Sequence, residues 1–325
     1  MLIYVLCLIL HKTFRLKISK ALSIDSKTKT VVTIGTFDGV HVGHQKIVKR
    51  LISTGKTDGL KSVILTFFPH PRMVLQKDFN IKLINTINER RDILDGLGLD
   101  YLVIKEFTKE FSRLSAEDFV KQILVDKLNV KKVIIGYDHR FGRNRNANID
   151  DLKKFGEIYG FEVEEISAQD INDVAVSSTK IRNALKEGDI IKANTFLGYH
   201  FTITGIVTKG KGLGRQLSFP TANIKVEEDY KLIPKQGSYI VRAVIDKVSI
   251  YGMMNIGLNP TVNGEKETIE VHFFNFDNDI YGENIQIELL NRIRDEEKFK
   301  SVEALKIQLK KDKETALTYI ATHHA

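Results

Sequence analysis

The chain has 325 residues, of which 42% are hydrophobic and 28% charged. That composition excludes extended disorder and leaves length for two domains with ordinary cores. The formal charge of +8 marks no nucleic-acid face. Residues 1–30 hold 6 Lys/Arg against 1 Asp/Glu, whereas residues 31–200 hold 26 against 23 and residues 201–325 hold 17 against 17. A nucleic-acid footprint is a basic stripe on the folded domain itself, so no nucleic-acid partner is expected.

Residues 1–28 read as a leader. Met1 to Leu10 is apolar but well short of the roughly 20 residues that cross a bilayer. Lys12, Arg15, Lys17 and Lys20 follow it in place of a small-residue cleavage site. An upstream extension or a misassigned start is the favoured reading, with a weak membrane anchor as the alternative. No stable membrane association is expected. The single cysteine, Cys7, allows no internal disulfide and fits a reducing, cytoplasmic setting. No Cys/His cluster has zinc spacing.

From residue 29 onward the pattern alternates. Residues 29–35 read as a buried strand ending on Gly35, and residues 44–54 as an amphipathic helix with Ile47, Val48 and Leu51 inward. A strand over 62–68 stops at Pro69-His70-Pro71. A helix over 88–97, a strand over 101–104 and a helix over 115–128 follow, the last opened by capping-box spacing at Ser115. Strand 132–135 ends on Gly136, and helix 149–159 leads to strand 161–166. This α/β alternation predicts a Rossmann-like domain over 29–198, with a parallel sheet and ligands beyond the carboxyl ends of its strands. Helices over 178–186 and 190–197 close that half. Five strand-like runs follow between residues 202 and 290, separated by turn signals such as Asn263-Gly264. They predict a small antiparallel β-barrel over 199–325, with a C-terminal helix over 301–320 packed against it.

The chemistry-bearing residues sit at the predicted strand ends. His41-Val42-Gly43-His44 lies where the loop after Gly35 becomes a helix, and a helix N-terminus with its dipole is a ready phosphate site. Gly39 and Gly43 permit close backbone approach to an anion, and two histidines three apart are expected on one helical face. Ser177-Ser178-Thr179-Lys180-Ile181-Arg182 at a helix start is a cap on its own; beside the histidines it reads as a second phosphate clamp. Asp138, in the loop Gly136 to Gly142, is a candidate for an adenine or ribose edge, or only a turn former.

In the second half, Gly210-Lys211-Gly212-Leu213-Gly214-Arg215 lacks the Lys-Ser/Thr ending of a Walker loop. Thr221 and Asn223, two apart on an extended segment, face one side and suit Mg²⁺ or a phosphate oxygen. Glu270 on another strand offers a carboxylate for a hydroxyl proton. It is expected to share a face with His272 and Phe274.

These motifs resemble the bacterial bifunctional riboflavin kinase/FMN adenylyltransferase family, the prokaryotic FAD synthetases. Gly-Thr-Phe-Asp-Gly-Val-His-x-Gly-His stands at 35–44, Phe-Pro-His-Pro at 68–71, Leu-Ser-Ala-Glu-Asp-Phe at 114–119, Gly-x-Asp-x-Arg-Phe-Gly at 136–142 and Ser-Ser-Thr-x-Ile-Arg at 177–182. Gly-Arg-x-Leu-x-Phe-Pro-Thr-Ala-Asn at 214–223, Asn-Ile-Gly-x-x-Pro-Thr at 255–261, Glu-Val-His at 270–272 and Arg-Asp-Glu at 294–296 complete the set. The resemblance implies an enzyme that uses ATP to phosphorylate riboflavin to FMN, then adenylylates FMN to FAD with release of pyrophosphate. It implies Gly35, Phe37, Asp38, Gly39, His41, Gly43, His44, Asp138, Ser178 and Arg182 around the adenylylation ATP, with His41, His44 and Arg182 catalytic. For the kinase it implies Gly210, Gly212, Gly214, Arg215, Thr221, Asn223 and Arg294 around ATP and flavin, Thr221 and Asn223 on Mg²⁺, and Glu270 as base. Riboflavin, FMN and ATP are the expected partners. The chain departs from the family pattern at Asn85, His139 and Ser218, the last where the family usually has Gly. Rivals are a protein active in one half only and a flavin- or RNA-binding module without turnover.

Overall fold

The computed structural model describes residues 16–19, 24–75, 81–136, 139–167, 176–210, 214, 217–261 and 264–323. They pack as two compact units. The first comprises the described residues up to 37, then 44–75 and 91–167; the second takes 38–43, 81–90 and 176–323.

The first unit is built on a six-stranded parallel sheet. Its strands are β1 (Lys17–Ser19), β2 (Thr30–Ile34), β3 (Lys61–Phe68), β4 (Tyr101–Glu106), β5 (Val130–Gly136) and β6 (Glu162–Ile166), in the order β1-β4-β3-β2-β5-β6. Every residue of β2 is buried, as expected of a central strand covered on both faces. Val32, Ile34, Val63, Leu65, Val133 and Ile135 form a core with Phe119, Val120, Leu124, Leu152 and Phe161. The chain leaves β2 for β3 on one side and later lays β5 on the other. The strand order therefore reverses at the carboxyl end of β2, where open α/β sheets bind ligands. The helices are α1 (Val42–Asp58), α2 (Pro71–Leu75), α3 (Ile87–Leu97), α4 (Ala116–Phe119) and α5 (Ile149–Tyr159). Ser115 caps α4 by accepting the Asp118 N–H, and the turn runs on as a π-helix over Val120–Val125. A capping box of Asn148 and Asp151 starts α5, and Gly160 in the left-handed region ends it.

Here the structure departs from the leader expectation. Residues 17–19 add a parallel edge strand beside β4, and the Leu16 N–H donates to Asp95 Oδ1 at 2.6 Å. Ile24 is buried in the core. An apolar residue in a basic, short-strand context carries no periodicity from which this could be read. Residues 1–15 and 20–23 of the leader lie outside the described residues.

The second unit is a closed antiparallel barrel. Its strands are β7 (Thr202–Thr208), β8 (Ala222–Lys225), β9 (Gly237–Ile245), β10 (Val248–Thr261), β11 (Gly264–Phe273) and β12 (Asn284–Arg294), in the order β10-β11-β8-β7-β12-β9. Closure removes both sheet edges. The interior holds Ile203, Val207, Val241, Ala243, Met254, Ile256, Val271, Ile287 and Leu289. Ile181, Ala184 and Leu185 from α6 (Ser178–Glu187) and Ile190, Ala193 and Leu197 from α7 (Ile190–Leu197) belong to the same core, as does Ile84. On the outer face, Phe219, Ile240, Met253, Phe274 and Leu290 pack with Ala316, Leu309 and Tyr319 of α8 (Val302–His323). Fold class and barrel agree with the sequence reading. The strands run longer than their apolar cores suggest, because ladder pairing continues past the last buried side chain.

Candidate active sites

In the first unit, the backbone leaves β2 through Gly35, whose N–H still donates to the Leu65 carbonyl at 3.1 Å. The Phe37 ring folds back over Gly35, so a Cβ at Gly35 would meet it at 3.0 Å. Phe37 is buried with φ +47°, and its ring centroid lies 4.9 Å from that of His44. His44 occupies the first turn of α1, a turn without acidic residues, so the positive helix end is left to an anion.

The second unit gathers Asp38, Gly39, His41, Ser178 and Arg182. Asp38 is buried, and its carboxylate accepts the Ile84 N–H at 3.0 Å and the Asn85 N–H at 3.3 Å. Its other oxygen accepts from Arg182 Nη2, and Arg90 lies 3.6 Å away. The Ser178 hydroxyl donates to the Asp38 carbonyl at 2.9 Å. Arg182 also donates through Nε to the Lys82 carbonyl. Gly39 has φ +87°, and a Cβ there would meet Ile84 Cδ1 at 2.9 Å. Its carbonyl accepts the Tyr199 hydroxyl at 2.6 Å. Val40, β-branched, is held at φ +34°, a conformation that persists only where packing over-determines it. His41 is buried, and desolvation lowers its pKa to about 4 despite the field of Asp38. Its ring is therefore neutral at pH 7.

One expectation changes. His41 precedes Val42, the first residue of α1, so the two histidines do not share a helical face. The loop carries His41 to its place, not the 3.6-residue period.

Behind Asp38 lies an ion pair that the sequence reading missed. Lys231 Nζ donates to Glu89 Oε2 at 2.6 Å and to the Ile84 carbonyl at 2.7 Å, above the Phe201 ring at 4.4 Å. Glu89 also accepts the N–H groups of Thr86 and Thr204. Both side chains are fully buried, and burial lowers the Lys231 pKa against the pull of Glu89. Glu89 and Arg90 sit in Asn88-Glu89-Arg90-Arg91-Asp92, which reads as a solvated charge run. Nothing in that run separates buried Arg90 from its neighbour Arg91.

The barrel brings the second motif set together. Thr221 Oγ1 donates to Glu270 Oε2 at 3.1 Å, across 49 residues of sequence. Glu270 stands opposite Asn223 on β8 and opposite Asn255 on β10. Asn255 in turn faces Ser238 on β9, and Ser238 faces Arg294 on β12. Residues paired in register share a sheet face, so one polar row crosses five strands. Their neighbours Met254, Ile256, Ile269 and Val271 point into the barrel, which puts the row on the outer face. Gly210 lies against Asn223, where a Cβ would come within 2.1 Å of the amide nitrogen. Gly214 accepts the Phe219 N–H at 2.8 Å. Arg294 is held by Asp312 of α8, with Nε to carboxylate distances of 3.0 and 3.1 Å. Glu270 and His272 share a face of β11 as expected, and Phe274, one residue past its end, lies on that outer face with its ring 5.8 Å from that of His272. Asp138, Gly212 and Arg215 lie outside the described residues.

For Mg²⁺, the Thr221 hydroxyl and Asn223 amide supply neutral hard oxygens beside one carboxylate. That donor set fits an ion that keeps water and phosphate oxygens as further ligands. Among the described residues no group of three His, Cys, Asp or Glu forms a metal cluster, and no helix is long and apolar enough to cross a membrane.

Comparison with known proteins agrees with both motif sets. A family model described as FAD synthetase matches residues 23–180, and one described as riboflavin kinase matches residues 197–320. A protein of Buchnera aphidicola subsp. Schizaphis graminum is 39% identical over 296 residues, covering 90% of this chain and 94% of its own. One of Listeria monocytogenes serovar 1/2a is 38% identical over 293 residues, covering 90% and 92%. Both are named bifunctional riboflavin kinase/FMN adenylyltransferase. A crystal structure from Streptococcus pneumoniae, described as a macrolide-efflux protein, superposes with a TM-score of 0.83 at 32% identity, covering 93% of this chain and 98% of that one. The chain belongs to the bifunctional riboflavin kinase/FMN adenylyltransferase family.

Proposed function

We propose that the two motif sets divide the family's two reactions, phosphorylation on the barrel and adenylylation at the loop after β2. In the first reaction the 5′-hydroxyl of riboflavin attacks the γ-phosphorus of ATP and ADP leaves. Glu270 accepts the hydroxyl proton, and Thr221 and Asn223 hold Mg²⁺, which when bound offsets charge between the phosphates. Gly210 and Gly214, with Gly212 and Arg215, shape the nucleotide loop. Arg294, held in place by Asp312, contacts the nucleotide or the flavin. In the second reaction a phosphate oxygen of FMN attacks the α-phosphorus of ATP and pyrophosphate leaves, with no protein nucleophile. Catalysis there is positioning and charge stabilisation. His41, as a neutral N–H donor, and His44 at the helix end contact phosphate. Ser178 and Arg182 hold Asp38 close to His41 in sequence; Gly35, Phe37, Gly39 and Gly43 shape the loop, and Asp138 meets the adenosine. We place these reactions in the cytoplasm, where ATP is plentiful and a lone Cys7 stays reduced.

The observation that carries this reading is the Thr221–Glu270 contact beside Asn223, three motif residues joined only by the fold. The test is to incubate purified protein with riboflavin and Mg-ATP and resolve riboflavin, FMN and FAD over time. Glu270→Gln should lower FMN formation by roughly 10²–10⁴-fold and spare FAD formation from supplied FMN. The pair His41→Ala/His44→Ala should do the reverse. Equal loss of both activities in either folded variant would falsify the division.

A further inference from the structure

We propose that His272 is a positioning residue for phosphorylation: its Nδ1–H fixes the Pro220 carbonyl and so sets Thr221 against Glu270. The inference rests on the kinase reading above. His272 Nδ1 lies 2.9 Å from the Pro220 oxygen. A carbonyl only accepts, so Nδ1 carries the proton. His272 is 8% exposed, and its ring meets Phe219 and Phe274 edge-on, at 5.2 and 5.8 Å. Water cannot readily replace the bond there.

The geometry resembles a two-point grip. Residues two apart on a strand share a face, so Glu270 and His272 both face the corner at 219–221. His272 holds the backbone of residue 220, and Glu270 accepts from the side chain of residue 221. Pro220 has no N–H of its own to anchor it. On its other side the corner is tied by the Phe219 N–H donating to Gly214. Without the imidazole, the Pro220–Thr221 peptide keeps one anchor and can rotate, carrying the Thr221 hydroxyl off Glu270. Misplacement by about 1 Å costs on the order of 10²-fold in rate.

The test uses the full chain with riboflavin and Mg-ATP in single-turnover mode, comparing His272→Ala, His272→Asn and His272→Gln. The Asn amide nitrogen takes the place of Nδ1, whereas the Gln amide reaches toward Nε2. His272→Ala should slow the chemical step by roughly 10–100-fold, with little change in riboflavin KM. His272→Asn should recover most of that loss and His272→Gln little. FAD formation from supplied FMN should be unchanged in all three and serves as the fold control. Recovery by Gln as full as by Asn overturns the proposal, as does a wild-type rate in the Ala variant. Should the Ala variant fail to fold, the Asn-to-Gln comparison decides alone. Glu270→Gln run in parallel keeps the two readings apart. A fast Glu270→Gln with a slow His272→Ala removes the base and leaves the positioning of Thr221 standing. The opposite result removes the positioning and keeps the base.

Discussion

The polar row on the barrel and the loop after β2 are held in place by different physics. On the barrel, Asn223, Glu270, Asn255 and Ser238 are aligned first by ladder register, to which the Thr221–Glu270 and Ser238–Asn255 hydrogen bonds are added. Every strand neighbour is fixed by backbone bonds, so the polar row needs little support of its own. The loop after β2 has no ladder. Residues 38–41 are held by a buried carboxylate, two arginines, a tyrosine hydroxyl and the Glu89–Lys231 pair behind them. On the barrel the strands keep their register when a side chain of the row is changed, whereas a loop built on buried charges depends on each partner.

The largest expected effect follows from that dependence. Lys231→Met leaves the buried Glu89 side chain without its cation partner, a loss of about 3–5 kcal/mol. Adding Glu89→Gln removes the stranded carboxyl yet keeps an acceptor for the Thr86 and Thr204 N–H groups. The double variant should regain most of the stability in urea denaturation followed by circular dichroism. FAD formation should fall further than FMN formation in the single variant, because segment 84–89 supports Asp38. A single-variant loss below about 1 kcal/mol would show the pair to be dispensable and dissolve the contrast between the regions.

How much of this was legible in the sequence follows the same division. Strand parity placed Glu270 and His272 on one face of their strand, and Thr221 and Asn223 on one side of theirs, because a period of two is a local property of an extended chain; that the two strands meet is visible only in the fold. Alternation with Gly and Pro at strand ends gave the parallel sheet. The loop was read less well. His41 precedes the helix on whose face its spacing to His44 places it, and the sequence carries no sign that the Asp38 carboxylate accepts from Arg182 and from backbone N–H groups. Buried Arg90 and Lys231 carry no pattern, since burial of a charge is decided by partners remote in sequence. The edge strand at 17–19 was hidden by its shortness.

The second prediction sharpens the loop side of the comparison through pH. His41 has its pKa lowered to about 4 from an ordinary 6.5. The unfolded chain therefore binds a proton between those values that the folded chain refuses. Stability from this group is complete above pH 6.5 and is lost as pH falls toward 4, by about 3 kcal/mol at most. His41→Asn, which cannot take up the proton, should flatten the fall in urea midpoint between about pH 7 and pH 4.5. An unchanged slope in that variant would show that His41 is not the group responsible.

The smallest effect concerns a strained corner of the barrel site. Ser218 has φ +65°, in the left-handed region where a Cβ costs roughly 1–2 kcal/mol. It immediately precedes Phe219-Pro220-Thr221, and the family pattern has Gly at its position. Glycine removes the steric cost but adds freedom to the unfolded chain, worth about 0.5–1 kcal/mol. The balance favours Ser218→Gly by somewhat under about 1 kcal/mol, read as a higher urea midpoint with an unchanged slope. Ser218→Ala keeps the Cβ and should gain nothing, so the pair isolates backbone strain from loss of the hydroxyl. If Gly and Ala shift the midpoint alike, the hydroxyl and not the dihedral sets the stability of this corner. If Gly gains alone and also speeds FMN formation, the strain extends to Thr221, and register is then not sufficient to align the kinase residues.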